Sequence, residues 1–276
     1  MVIPSLLAHA ANGQWCVTVE ELQRLQAERL RIADSSFPTE QAIDPVLAGL
    51  FYRAGRVAVV EIGGTLGKNL GYWDRYFGGA DYDEICLKID AAEADPNTDI
   101  VVLHIRSPGG MALGCAECGD RIAQISKDAV AYTDYLMCSG AYWLGSQCDR
   151  IYSAGSAFLG SIGVLAAYLD TSKALAEIGI KVNAFSAGKW KLAGAPFKPM
   201  TDEERGMFQA RVERYYGQFT AAVNRNRTIS QEFMEGQSID GEEAVAAGLS
   251  DGIFPSIDDL LVYLNGPDSG LTPRAG

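Results

Sequence analysis

The chain has 276 residues, 48% of them hydrophobic and 21% charged, which is enough to bury a substantial core in one large domain or a domain with extensions. Its formal net charge of -12 argues against a nucleic-acid binder, because no basic surface is available to displace phosphate counterions. The six cysteines, Cys16, Cys86, Cys115, Cys118, Cys138 and Cys148, lie in apolar or helical patterns, which points to reduced thiols rather than a disulfide framework.

Residues 1–50 read as an N-terminal helical extension and linker. The start, MVIPSLLAHAANGQW, has no basic opening followed by a long apolar core, so it is a poor signal peptide. In VTVEELQRLQAERLRI, Thr18 and Glu21 have capping-box spacing ahead of an amphipathic helix, and ADSSFPTEQAID reads as the linker. From Arg56 the pattern changes. RVAVVEI and DIVVLHI are short β-branched runs, each expected to be a buried strand, and YDEICLKIDAAEAD between them has helical spacing. The alternation continues through MALGCAECGDRIAQISK, AVAYTD, SGAYWLGSQC and RIYSA, then IGVLAAYLD, a helix at SKALAEIGI and a strand at KVNAFSA. Strands alternating with helices predict an α/β domain, here residues 51–264, with helices stacked on the faces of a sheet.

In MTDEERGMFQARVERYYGQFTAAVNRN, Thr201 and Glu204 form a second capping box, and Phe208, Val212, Tyr215, Phe219 and Val223 keep one apolar face of a long helix. That face packs either on the core or on a neighbouring subunit. Residues 265–276 read as a frayed tail. No run of about 18 apolar residues occurs, so no membrane span is expected and the protein should be soluble. Cys115 and Cys118 form a C-x-x-C without a second Cys/His pair at ligand spacing, so they read as a helix-buried pair, with neither metal nor cofactor implied.

Within YTDYLMCSGAYWLGS, Ser139 precedes a small Gly140-Ala141 step at the mouth of an apolar helix. It is either a helix cap or a nucleophile held at the helix N-terminus. A Ser-His-Asp triad would need His9 or His104, the only two histidines; His9 lies in the extension and His104 alternates with apolar residues of a strand. The remaining activator is a lysine that burial keeps neutral, and FSAGKWKLAGAPFKP offers Lys189 and Lys191, unless both are solvated loop lysines. An oxyanion site needs backbone N–H groups converging on one point. Ser107-Pro108-Gly109-Gly110, between a strand end and a helix, is placed to supply them, although most such steps are plain turns.

Taken in order, SPGG after a strand, CSGAYW, LGSIGV, SAGKWKLAGAPFKPMTDEER and GQSIDGEEAVAAGLSDGI resemble the signal peptide peptidase A family of serine proteases (serine peptidase family 49) from Arg56 to Ile253. Within that family the chain is most similar to the phage prohead proteases. The resemblance implies a Clp-protease/crotonase-like fold of repeated ββα units. It also implies Ser139 as nucleophile, Lys191 as general base, Ser161 as the hydroxyl that orients the lysine, and Gly110, with Gly109 beside it, and Gly140 as the oxyanion hole. Polypeptide substrates follow: scaffold or capsid proteins and the chain itself, inside a viral prohead in the host cytoplasm. A homo-oligomer is expected, with the lysine supplied within or between subunits. A soluble bacterial signal-peptide-peptidase-like protease and a crotonase-type acyl-CoA enzyme on the same fold are the alternatives. The chain departs from the pattern at Cys138, where alanine is common, and Met137 stands where a G-x-S-x-G elbow would have glycine.

Overall fold

The computed structural model describes residues 49–267 and Ser269, with the backbone of Gln14–Val17. The helix expected after Thr18, the linker behind it, His9 and residues 270–276 lie outside the described residues.

After strands β1 (Gln14–Val17) and β2 (Tyr52–Ala54), the chain passes through four strand–strand–helix units. The first holds β3 (Val57–Gly63) and β4 (Thr65–Gly67), an inserted helix α1 (Tyr72–Tyr76) and strand β5 (Gly79–Asp81), and then helix α2 (Tyr82–Ala94). The second is β6 (Ile100–Arg106), β7 (Gly109–Met111) and α3 (Cys115–Ala123); the third is β8 (Asp128–Thr133), β9 (Leu136–Cys138) and α4 (Gly140–Gly145). The fourth opens with β10 (Arg150–Ser153) and β11 (Phe158–Gly160). Then β12 (Leu165–Ala166), α5 (Ser172–Glu177), the long α6 (Asp202–Val223) and β13 (Ser238–Asp240) intervene before its helix, α7 (Gly241–Ala246). Strand β14 (Gly252–Ile253) and helix α8 (Ile257–Asn265) follow. This is the α/β architecture of repeated ββα units that the resemblance implied.

The first strand of each unit enters one six-stranded sheet of order β14-β10-β8-β6-β3-β2, parallel throughout except where β2 meets β3. Valine, isoleucine and leucine fill these strands because helices cover both faces. Period-two alternation divides them. Ala58, Val60, Val101, Leu103 and Ile105 pack with residues of α2, α3 and α4, while Val57, Val59, Ile100 and Val102 pack against Leu260, Leu261 and Leu264 of α8. The second strands are three residues each and leave this sheet. β4 and β7 join a sheet of order β12-β1-β7-β4-β5, and β9 and β11 join one of order β13-β11-β9.

Helix α6 starts at the expected capping box: Glu204 N–H donates to Thr201 Oγ1 at 3.2 Å, and Thr201 N–H to Glu204 Oε2 at 2.9 Å. Its Phe219 stacks on Trp143 of α4 with centroids 4.9 Å apart, so its apolar face packs on the core. Two expectations are corrected. The KVNAFSA run forms no strand; residues 181–187 are exposed, Phe185 by 96%, and pair with no strand among the described residues. The tail expected from residue 265 is partly packed. Asn265 ends α8 and accepts from Arg56 N–H at 3.1 Å, and the buried Ser269 accepts from Arg56 Nη2 at 3.0 Å. Among the described residues, no helix is long and apolar enough to cross a membrane.

Candidate active site

Strands β9 and β11 run parallel with Cys138 opposite Gly160, so the residues that follow them, Ser139 and Ser161, leave the sheet side by side. A backbone bond from Ser139 N–H to Gly160 O, 2.7 Å, fixes this pairing. Both serines have positive φ, 52° and 50°, and Asn69 is the only other non-glycine residue among those described to do so. Side chains are costly in that region, about 1–3 kcal/mol each, and such strain concentrates at functional positions.

Ser139 occupies the N-cap position of α4, yet its side chain makes no capping bond. The hydroxyl instead donates to Gly163 O at 3.4 Å, long for an O–H···O bond. The cap alternative is thereby removed: Ser139 is 1% exposed, strained and left out of helix capping. Ser161 is also buried, its N–H donates to Gln237 O at 2.7 Å, and its hydroxyl has no hydrogen-bond partner among the described residues.

Strand β7 brings the glycines alongside. Gly109 has φ 98°, which suits glycine alone. At Gly110 a Cβ would stand 1.9 Å from Leu66 O, so glycine is required there by the backbone of β4. Ser107 ties this turn to the nucleophile strand. Its N–H donates to Leu136 O at 2.7 Å, its carbonyl accepts from Cys138 N–H at 3.1 Å, and its hydroxyl donates to Gly64 O at 2.6 Å while accepting from Gly109 N–H at 3.1 Å. Sequence reasoning gave the Ser107 hydroxyl no role, although a hydroxyl immediately before Pro-Gly-Gly is a turn-forming signal. Cys115 of α3 donates its thiol to Gly140 O at 3.6 Å, and burial pushes that thiol up to about 12.

Ser139 and Ser161 are thus paired through β9 and β11, and the Ser107 bonds tie the Gly109 turn to the nucleophile strand, whereas Lys191 hydrogen-bonds to neither. It sits in an exposed turn, its backbone N–H on Gly188 O at 3.1 Å, and its amine touches no hydrogen-bond or ion-pair partner among the described residues. Lys189 is engaged elsewhere, paired with Glu203 and 4.6 Å from the centroid of the Trp190 ring. His104 is buried within β6, as its alternation predicted, on the face toward Tyr132 and away from α4. Its Nδ1 lies 3.0 Å from Glu61 Oε1 and its Nε2 3.4 Å from Asp134 Oδ1, so both nitrogens face carboxylates and neither reaches Ser139.

The profile described as peptidase family S49 matches residues 121–260, about half the chain, a span that contains Ser139, Ser161 and Lys191. The chain belongs to peptidase family S49. Among curated relatives, this S49 member is 29% identical over 225 residues to the capsid assembly protease C of Escherichia phage lambda, covering 80% of this chain and 51% of the relative. It is 29% identical over 220 residues to the head-tail preconnector protein GP5 of Enterobacteria phage P21, covering 78% and 44%. The chain thus spans about half the length of the curated relatives it matches. A solved structure of a mutant of the 1510-N membrane-bound stomatin-specific protease aligns with a TM-score of 0.44 at 18% identity, over 76% of this chain and 84% of the other.

Proposed function

We propose that this S49 member is a serine endopeptidase with Ser139 as nucleophile, Lys191 as general base and Ser161 orienting the lysine amine. One observation carries the reading: a buried serine in a strained backbone conformation whose hydroxyl caps nothing and meets only the Gly163 carbonyl, at a long 3.4 Å. Ser139 Oγ attacks the scissile carbonyl while the Lys191 amine takes its proton. The oxyanion that forms is met by the N–H groups of Gly110 and Gly140; losing one such donor costs about a hundredfold to a thousandfold in rate. The lysine ammonium then gives its proton to the leaving amine, and water repeats the sequence on the acyl-enzyme.

Within one subunit Lys191 is exposed and does not hydrogen-bond to Ser139. The proposal therefore includes a homo-oligomer in which Lys191 reaches Ser139 of a neighbouring copy. The exposed apolar residues that precede and adjoin it, Ile178, Ile180, Val182, Phe185 and Trp190, support a subunit contact there. The lambda and P21 relatives support scaffold or capsid proteins as the substrates, cut inside an assembling phage head.

The test is mass spectrometry of capsid and scaffold proteins co-expressed with the full chain. Ser139→Ala and Lys191→Ala should each abolish cleavage without unfolding the chain, while Lys189→Ala keeps most of it. A dead Lys189→Ala with an active Lys191→Ala would transfer the base to the other lysine. Intact capsid proteins beside efficient cleavage of signal peptides would move the substrate to the bacterial alternative.

A further inference from the structure

Strand β7, which carries Gly109 and Gly110, has two edges. One pairs with β4, Leu66 opposite Gly110. The other is occupied by β1 of the same chain, antiparallel, with Trp15 opposite Met111, Cys16 opposite Gly110 and Val17 opposite Gly109. The second edge of β1 pairs antiparallel with β12, Gln14 opposite Ala166 and Trp15 opposite Leu165. Strand β12 lies just past Ser161 and Gly163, whose carbonyl accepts the Ser139 hydroxyl. Gln14–Val17 thus lies between the glycine strand on one side and the continuation of the Ser139–Ser161 junction on the other.

Neighbouring strands stand about 4.8 Å apart, so the β7 and β12 edges that flank β1 are roughly 10 Å apart, a slot one strand wide. An extended polypeptide bound for cleavage gains its affinity by adding its main chain to such edges. To lay its scissile carbonyl beside Gly110 it must use the edge that Cys16 now faces. Two strands cannot share one ladder.

We infer that Gln14–Val17 is a built-in competitor for substrate: it fills the two-edged slot beside the nucleophile, and cleavage requires it to leave. This rests on the reading of Ser139 as nucleophile. A strand carried on the same chain competes as an intramolecular ligand, which a free peptide must outcompete, so free peptides bind weakly until the segment is displaced. A substrate held in the same assembly meets the slot at comparable effective concentration and exchanges with it. The segment is then a threshold that favours assembled substrates over stray ones.

The experiment uses the full chain and a tetrapeptidyl phosphonate that reacts with the nucleophilic serine. Cys16→Pro removes a main-chain donor and places proline in a strand paired on both edges, where it does not fit. The variant should label at Ser139 about tenfold faster or more, the factor that corresponds to one or two lost strand hydrogen bonds. In the unmodified chain, hydrogen exchange supplies a readout that needs no substitution: the Gln14–Val17 amides should lose protection once Ser139 carries the peptidyl group. Equal labelling rates at Ser139 with unchanged protection of these amides would overturn the inference and leave Ser139 as nucleophile. Absence of labelling at Ser139 in both proteins would overturn the catalytic reading itself, and the inference with it.

Discussion

At Ser139 the backbone carries a cost that the fold does not require of it. With φ 52° and ψ -123°, the residue sits where glycine is comfortable and a Cβ is not. The neighbouring bonds, Ser139 N–H to Gly160 O and Trp143 N–H to Ser139 O, need only the main chain. Ser139→Gly should therefore be more stable than Ser139→Ala by roughly 1 kcal/mol, since glycine relieves the strain and alanine keeps it. Urea midpoints of the two inactive variants give the comparison. Alanine proving the more stable would remove the strain argument. Much at this scale was readable in sequence, because Ser139, Ser161, Gly109 and Gly110 stand in motifs with recognisable neighbours. Gly110 carries a demand that no motif spells out, since its missing Cβ makes room for Leu66 O on a strand far away in sequence.

Elements became legible in proportion to their length. β3, β6 and α2 are long enough to express a period, and α6 announces its start through Thr201 and Glu204. The strands β4, β7, β9 and β11 have three residues each, too few for alternation to show, yet they carry the glycines or lead into the two serines. KVNAFSA shows the converse: a strand-like run that pairs with no strand among the described residues stays irregular and exposed. The ends of β6 and β8 are held by side chains as well as by the ladder. Arg106 donates from Nε and Nη2 to the two oxygens of Asp134, both at 2.6 Å, with His104 beside them. The Arg106 hydrogen bonds hold the Asp134 carboxyl down to about 2. A carboxyl so lowered stabilises the fold fully above its unfolded value of about 3.9, and that contribution, about 1 kcal/mol once solvent screening of the 46%-exposed Arg106 is allowed for, disappears as pH falls toward 2. Asp134→Asn should thus lower stability at neutral pH and flatten its decline between those pH values. Urea midpoints measured along a pH series check this, and parallel declines for both proteins would show that Asp134 adds nothing specific.

Over the whole molecule, the described residues gather the serine junction and its glycines inside one subunit but leave the proposed base on an exposed stretch with Phe185 and Trp190. Large apolar side chains left in water at this density mark contact surfaces. A chain of net charge -12 resists such association through self-repulsion, so apolar burial must carry the contact. If Lys191 serves the Ser139 of a neighbouring copy, two inactive proteins can repair one another. Ser139→Ala retains an intact lysine, Lys191→Ala an intact serine, and a mixed oligomer juxtaposes the two. Cleavage should reappear when the purified variants are dissociated, mixed and reassembled, and labelling by the phosphonate should fall only on subunits that carry Ser139. Phe185→Asp places a charge in the contact and should yield smaller species in sedimentation together with loss of cleavage. Mixtures that stay inactive although sedimentation shows them co-assembled would place the base within the subunit, and the exposed turn around Lys191 would then have to fold inward when substrate binds.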